Sequence, residues 1–222
     1  MSRIARLVAV GLPHHITQGG NYRQNIFLDD SDRRQYLLWI QEYSHKYNLS
    51  ILAYCLMQNH VHLIAIPERE DSLAKTFNTA HMRYSQYFNK KLKTTGHLWQ
   101  GRFYSCVLDK SHLMVATRYI ERNPVRANIV KKPWEWRWSS VLSHIGQEES
   151  PFRLAELFKI IDISHNSWKE YIDSKEDEKA LAEIRKHTLT GCPLGANSFI
   201  ENLEKIFNRK LFVLPRGRPK KR

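Results

Sequence analysis

Hydrophobic positions recur along this chain with two different spacings, and they mark out its elements. Leu7, Val8, Ala9, Val10 and Leu12 are apolar and Ile16 resumes after Pro13, which predicts a strand over 6–18 broken by Gly19-Gly20-Asn21. Asp29, Asp30, Ser31 and Asp32 then offer an N-cap and an acidic first turn. Tyr36, Leu37, Ile40 and Tyr43 follow at helical spacing, so a helix runs to Tyr47. The apolar runs Ile51–Met57 and Val61–Ile66 enclose only Gln58-Asn59-His60 and read as a β-hairpin, with Pro67 stopping the second strand.

Residues 71–92 predict a helix with Leu73, Phe77, Ala80, Tyr84, Tyr87 and Phe88 on one side and Lys90, Lys91 and Lys93 at its C-terminal end. Residues 103–108 predict a fourth strand. Asp109 or Ser111 caps a further helix that runs to Arg122, and Pro124 ends it. The order through residue 108 is β-α-β-β-α-β. That order predicts an α+β, ferredoxin-like fold: an antiparallel sheet with two helices on one face. The added helix over 110–122 is the candidate cover for the other face. Trp134, Trp136 and Trp138 alternate, so an extended segment would put them on one face as core or docking residues.

Beyond residue 150 the pattern is mainly helical, with candidate helices at 151–162, 165–173, 175–188 and 196–208. Ser198 with Glu201 fits a capping box for the last of them. The expected organisation is a module over 1–145, a small helical module over 146–214 and a basic tail over 215–222.

Charge changes this picture most. The 222 residues carry a formal charge of +13, distributed as +10 over 1–145, −2 over 146–214 and +5 over the tail. Two basic surfaces separated by a near-neutral spacer point to nucleic acid, because clustered Lys and Arg attract phosphate. No apolar run approaches the roughly 20 residues that a spanning helix needs, so no membrane partner is expected. Arg3 and Arg6 precede only a short apolar run cut by Pro13, a poor secretory signal. The three cysteines, Cys55, Cys106 and Cys192, are odd in number and far apart, which fits a reducing compartment, the cytoplasm.

The sharpest local signal is His60-Val61-His62. Alternate strand residues point to one face about 6.6 Å apart, close enough for two imidazoles to share a metal ion. Two imidazoles leave coordination positions open for phosphate oxygens and one further protein oxygen. Such a metal acts as a Lewis acid on a phosphoryl group, with Mg²⁺ or Mn²⁺ the expected ion.

The segment Tyr54-Cys55-Leu56-Met57-Gln58-Asn59-His60-Val61-His62-Leu63-Ile64 resembles the signature of single-tyrosine HUH transposases of the IS200-like type, in particular the REP-associated tyrosine transposases. Three more segments resemble that family in the same order: 15–24 (HITQGGNYRQ), 99–103 (WQGRF) and 119–127 (YIERNPVRA). Together they span about residues 3–142. The resemblance implies a ferredoxin-like core, a divalent metal on His60 and His62, and a nucleophilic Tyr119 that attacks single-stranded or hairpin-forming DNA. It implies a polar third ligand one helical turn beyond the tyrosine. Asn123 stands there, with Glu121 as the competing candidate. Gln58 and Gly19 depart from the residues most frequent in the family, a proline and a basic residue.

Arg118, Arg122 and Arg126 recur every fourth residue beside Tyr119 and are expected to contact phosphate, as are Arg23 and Arg102. The tail Pro215-Arg216-Gly217-Arg218-Pro219 resembles an AT-hook, in which Arg216 and Arg218 would follow an A·T-rich minor groove. The expected function is a metal-dependent, site-specific DNA endonuclease and strand transferase that works through a 5′-phosphotyrosine. A non-catalytic hairpin-binding protein and a phosphohydrolase using water are the alternatives, and either a monomer or a homodimer fits.

Overall fold

The computed structural model describes residues 6–212, so the tail with Arg216 and Arg218 lies outside the described residues. The elements follow in the order β1 (His14–Gly19), α1 (Asp30–Lys46), β2 (Leu49–Leu56), β3 (His60–Pro67), α2 (Ser72–Leu92), β4 (Tyr104–Val107) and α3 (Lys110–Glu121). Then come α4 (Asn123–Arg126), α5 (Val141–His144), α6 (Leu157–Ile161), α7 (His165–Asp173), α8 (Glu178–Thr190) and α9 (Asn197–Phe207). The sheet order is β2-β3-β1-β4, with each neighbouring pair antiparallel. The α+β, ferredoxin-like expectation holds.

Each face of the sheet buries its own cluster. Val61, Leu63 and Ala65 of β3 pack with Ile16, Phe77 and Tyr84 under α1 and α2. The alternate residue Ile64 packs with Cys55, Cys106, Leu113, Ala116 and Ile120, the last three belonging to the α3 side. This two-sided burial explains why the hairpin strands read as unbroken apolar runs. Asp29 caps α1 by accepting from the Asp32 amide at 3.0 Å, and Asp109 caps α3 by accepting from the His112 amide at 2.8 Å.

Several boundaries differ from expectation, for local reasons. Strand β1 begins only at His14; Leu7 and Ala9 instead pack against Val107 and the α9 residues Ile200 and Leu203. The first candidate helix of the C-terminal region shrinks to Leu157–Ile161. Ser198 lies inside α9 and Ala196 is its N-cap, so the Ser198–Glu201 box does not form. Asp109 takes over by accepting from the Ala196 amide at 2.8 Å. Residues 133–135 form a tight 3-10 turn, and the three tryptophans separate. Trp138 joins the α1–α2 cluster, Trp136 bridges both sheet faces and Trp134 packs toward α5 and α7.

Residues beyond 146 share the core of the sheet. Leu157 of α6, Ile184 of α8 and Leu194 sit in the α3-side cluster. Both sheet edges are closed by later chain. Leu56 donates to the Trp138 carbonyl and Ser140 to that of Tyr54 (2.8 and 2.9 Å) along β2, while Leu194 donates to Val107 (2.8 Å) beside β4. Closure removes the exposed ladder groups that invite aggregation.

Candidate active site

The antiparallel register builds the site. His62 of β3 lies opposite Thr17 of β1 and Cys55 of β2, and His60 lies opposite Gly19. His60, His62 and Ile64 therefore share the α3 face, with His15 of the neighbouring strand beside them. The His60 and His62 ring centroids are 5.0 Å apart. Tyr119, near the end of α3, places its ring 5.8 Å from His62 and 5.9 Å from His15. Asn123, at the start of α4, brings its amide nitrogen to 3.1 Å from His60 Nε2. The sequence-predicted quartet of His60, His62, Tyr119 and Asn123 is thus one cluster.

Hydrogen bonding fixes which nitrogen of each imidazole carries the proton. Thr188 of α8 donates its hydroxyl to the Ile184 carbonyl at 2.7 Å, so it accepts from His15 Nδ1 at 3.0 Å. His15 Nε2 then accepts from His62 Nδ1 at 2.9 Å, which leaves the lone pair of His62 on Nε2. Asn59 Oδ1 accepts from His60 Nδ1 at 2.6 Å, and the lone pair of His60 is likewise on Nε2. Burial holds His60 down to about pKa 4; it also holds His62 well below its usual value, helped by His60, His15 and Arg126. Both rings are therefore neutral at neutral pH, the state that ligates a metal.

Among the described residues no group of three or more His, Cys, Asp or Glu gathers as a metal site. The donor set is two imidazoles and an amide, since a turn of the Asn123 amide presents oxygen where nitrogen now faces His60. That set fits a divalent cation that keeps positions open for phosphate or water oxygens. Glu121, the competing ligand, is turned away. Its fully buried carboxylate accepts from Ser140 Oγ, His144 Nδ1 and Trp168 Nε1 at 2.5, 2.6 and 3.1 Å.

The arginine stripe is also not the open face that its spacing suggests. Arg118 donates to the Ser174 carbonyl and hydroxyl, and its guanidinium sits 4.5 Å from the Tyr171 ring centroid. Arg122 donates to the Ile172 carbonyl and pairs with Glu176 at 3.0 Å. Arg126 pairs with Glu176 at 2.8 Å and lies 4.2 Å over the Tyr119 ring. Residues 172–176, at the end of α7 and in its connection to α8, thus occupy all three. Arg23 and Arg102 remain exposed. Arg23 rides on a loop where Tyr22 and Arg23 both adopt left-handed backbone (φ 50° and 59°). Gly20 opens that loop because a Cβ there would collide with the Gln24 carbonyl and Ile26.

His15, Thr188 and Glu176 are the site residues that local sequence did not single out. His15 opens one of the family-like segments, but its place depends on strand pairing. Thr188 and Glu176 come from a region with no motif. The relay gives Thr188→Val a defined expectation. Loss of the hydroxyl frees the His15–His62 tautomer, and Mn²⁺ affinity should fall about tenfold, as for other outer-shell partners. Calorimetric titration with Mn²⁺ measures it; unchanged affinity would show that the relay does not orient His62.

Residues 9–123, just over half of the chain, match the family described as IS200-like transposases, and the chain belongs to that family. A solved REP-associated tyrosine transposase bound to a REP hairpin shares the fold. The TM-score is 0.54 at 19% identity, over 71% of this chain and 93% of that one. A Deinococcus radiodurans protein described as a transposase aligns over 55% of this chain and 97% of its own, with a TM-score of 0.39 at 19% identity. No curated protein matches the chain. Among the described residues no helix is long and apolar enough to cross a membrane.

Proposed function

We propose that this transposase-family protein is a metal-dependent, site-specific endonuclease and strand transferase acting on single-stranded DNA that carries hairpin-forming repeats. The observation that carries this reading is the pair of Nε2 lone pairs on His60 and His62 beside the Tyr119 ring, with Asn123 against His60. The related transposase bound to a REP hairpin supports the choice of substrate. His60, His62 and Asn123 would hold Mg²⁺ or Mn²⁺, which when bound polarises a phosphoryl oxygen.

Tyr119 Oη is the nucleophile. Its bond to phosphorus forms as the bond to the 3′ oxygen breaks, the phenol proton is lost and the departing 3′ oxygen gains one. The product is a 5′-phosphotyrosine with a free 3′-hydroxyl. Another 3′-hydroxyl can reverse the step, so rejoining needs no external energy source. Arg126, stacked on Tyr119, holds the ring, and a phosphate reaches Arg122 or Arg126 only by displacing Glu176.

The test is a denaturing gel of the protein with a panel of hairpin oligonucleotides in Mg²⁺ or Mn²⁺. A covalent adduct is expected and EDTA should abolish it. Turnover without an adduct would support a water-using phosphohydrolase, and EDTA-insensitive binding without cleavage a hairpin-binding protein.

The tail, with Arg216 and Arg218, is assigned to nearby A·T-rich duplex. Deleting 215–222 removes five cations. The slope of log affinity against log salt should shrink by up to about 4.5, with single-turnover cleavage retained at saturating protein. Loss of that cleavage would defeat this division of labour.

A further inference from the structure

The chain beyond α8 returns to the sheet beside β4, and its contacts there fix a register. A Cβ on Gly191 would lie 3.4 Å from the Ser105 carbonyl. Leu194 forms a parallel bridge with Leu108, donating to the Val107 carbonyl at 2.8 Å and accepting from the Asp109 amide at 3.1 Å. Gly191 against Ser105 and Leu194 against Leu108 share one offset, which sets Cys192 opposite Cys106. Pro193 favours extended backbone at Cys192, as this pairing requires. The Cys106 thiol donates to the Cys192 carbonyl at 3.0 Å, so the two residues touch. Opposed residues on neighbouring strands stand about 4.8 Å apart, inside the range of about 4.4–6.8 Å between Cα atoms that a disulfide accepts.

The two thiols differ in access. Cys106 is 1% exposed, and burial, then the neighbouring Cys192, raises its pKa. Cys192 is half-buried and lines a solvent-facing cavity of about 590 Å³ beside β4. A small oxidant therefore reaches Cys192 first, with Cys106 directly behind it. Cys55 is fully buried on β2, with β3 and β1 between it and Cys106.

We propose that Cys192 and Cys106 form a reversible oxidation site that takes a hydroperoxide and closes to a disulfide. The Cys192 sulfur attacks a peroxide oxygen. An S–O bond forms, the O–O bond breaks, and the departing oxygen takes the thiol proton and leaves as water or an alcohol. The product is a sulfenic acid. The Cys106 sulfur then attacks the Cys192 sulfur. The S–S bond forms as the S–O bond breaks, and the hydroxide leaves with the Cys106 proton as water. Two thiols lose two electrons in all, and one hydroperoxide gains them. A thiol reductant reverses the bond by exchange.

Position gives the bond a structural effect. Cys106 is the ladder partner of His15 on β1. Cys192 lies just beyond the end of α8, which carries Thr188, the anchor of His15. The disulfide fastens α8 to β4 at the root of the imidazole chain. In the reduced pair that joint rests on hydrogen bonds and packing.

The test treats the full chain with equimolar hydrogen peroxide, followed by denaturation, alkylation and non-reducing peptide mapping. The expected product is an internal disulfide between Cys106 and Cys192, with Cys55 alkylated, and dithiothreitol should reverse it. Closing so long a loop should raise the melting temperature by at least about 5 °C. Cys192→Ala should lose both the bond and the rise. Cys106→Ala should stop at the sulfenic acid, which dimedone captures on Cys192. The proposal is overturned if Cys192 of the unaltered chain stays reduced or goes on to the sulfinic acid while Cys106 remains open to alkylation. A disulfide between chains or through Cys55 overturns it equally, and an internal bond that leaves the melting temperature unchanged overturns the fastening of α8.

Discussion

Tyr119→Phe should abolish the covalent protein–DNA adduct and lower single-turnover cleavage by at least about 10³-fold, because no other hydroxyl replaces a lost nucleophile. The substitution removes one oxygen from a half-buried ring that packs against His62, His15 and Arg126. Those contacts are made by the ring, so melting temperature and hairpin affinity should stay close to those of the unaltered chain. Cleavage on denaturing gels and anisotropy with the same oligonucleotide separate the two effects. Persistence of the adduct would move the nucleophile to another tyrosine.

Glu121→Ala should have the largest effect on stability. The carboxylate is fully buried and takes donors from Ser140, His144 and Trp168, which tie α3 to α5 and α7. Alanine leaves those donors unpaired and opens a cavity at the junction. The expected cost is about 3 kcal/mol or more, a large share of the roughly 5–15 kcal/mol that holds a domain folded. A shift in urea midpoint reads this directly. Whatever fraction folds should bind Mn²⁺ with ordinary affinity, since Glu121 faces away from His60 and His62. A change of less than about 1 kcal/mol would refute the structural role, and a selective loss of Mn²⁺ binding would restore Glu121 as a ligand.

The sheet and its helices were legible because each carries a local signal: apolar runs around Gln58-Asn59-His60, helical spacing from Leu73 to Phe88, caps at Asp29 and Asp109. The start of strand β1 differs from expectation because Leu7 and Ala9 bury themselves under α9 rather than in the sheet. Burial against distant chain leaves no periodicity to read. The site divides in the same way. His60, His62, Tyr119 and Asn123 stand in recognisable segments. The spacing of Arg118, Arg122 and Arg126 gave their shared face correctly but not what covers it, because Glu176 comes from a stretch 50 residues away from Arg126. Glu121 and Asn123 are two residues apart, and only the direction of α3 as it passes into α4 decides which one meets His60.

The hydroxyl of Thr188 has a consequence for how this protein is divided. The family match stops at residue 123, yet the imidazole chain that orients His62 is anchored 65 residues later, and β4 is closed off by Leu194. The inherited unit and the folding unit therefore have different ends. A fragment cut at residue 145 would keep every recognisable motif. It would also turn Cys106, Leu113 and Ile64 toward water and leave His15 without its anchor, so the smallest piece that keeps this packing reaches at least to the strand-like contact at Leu194.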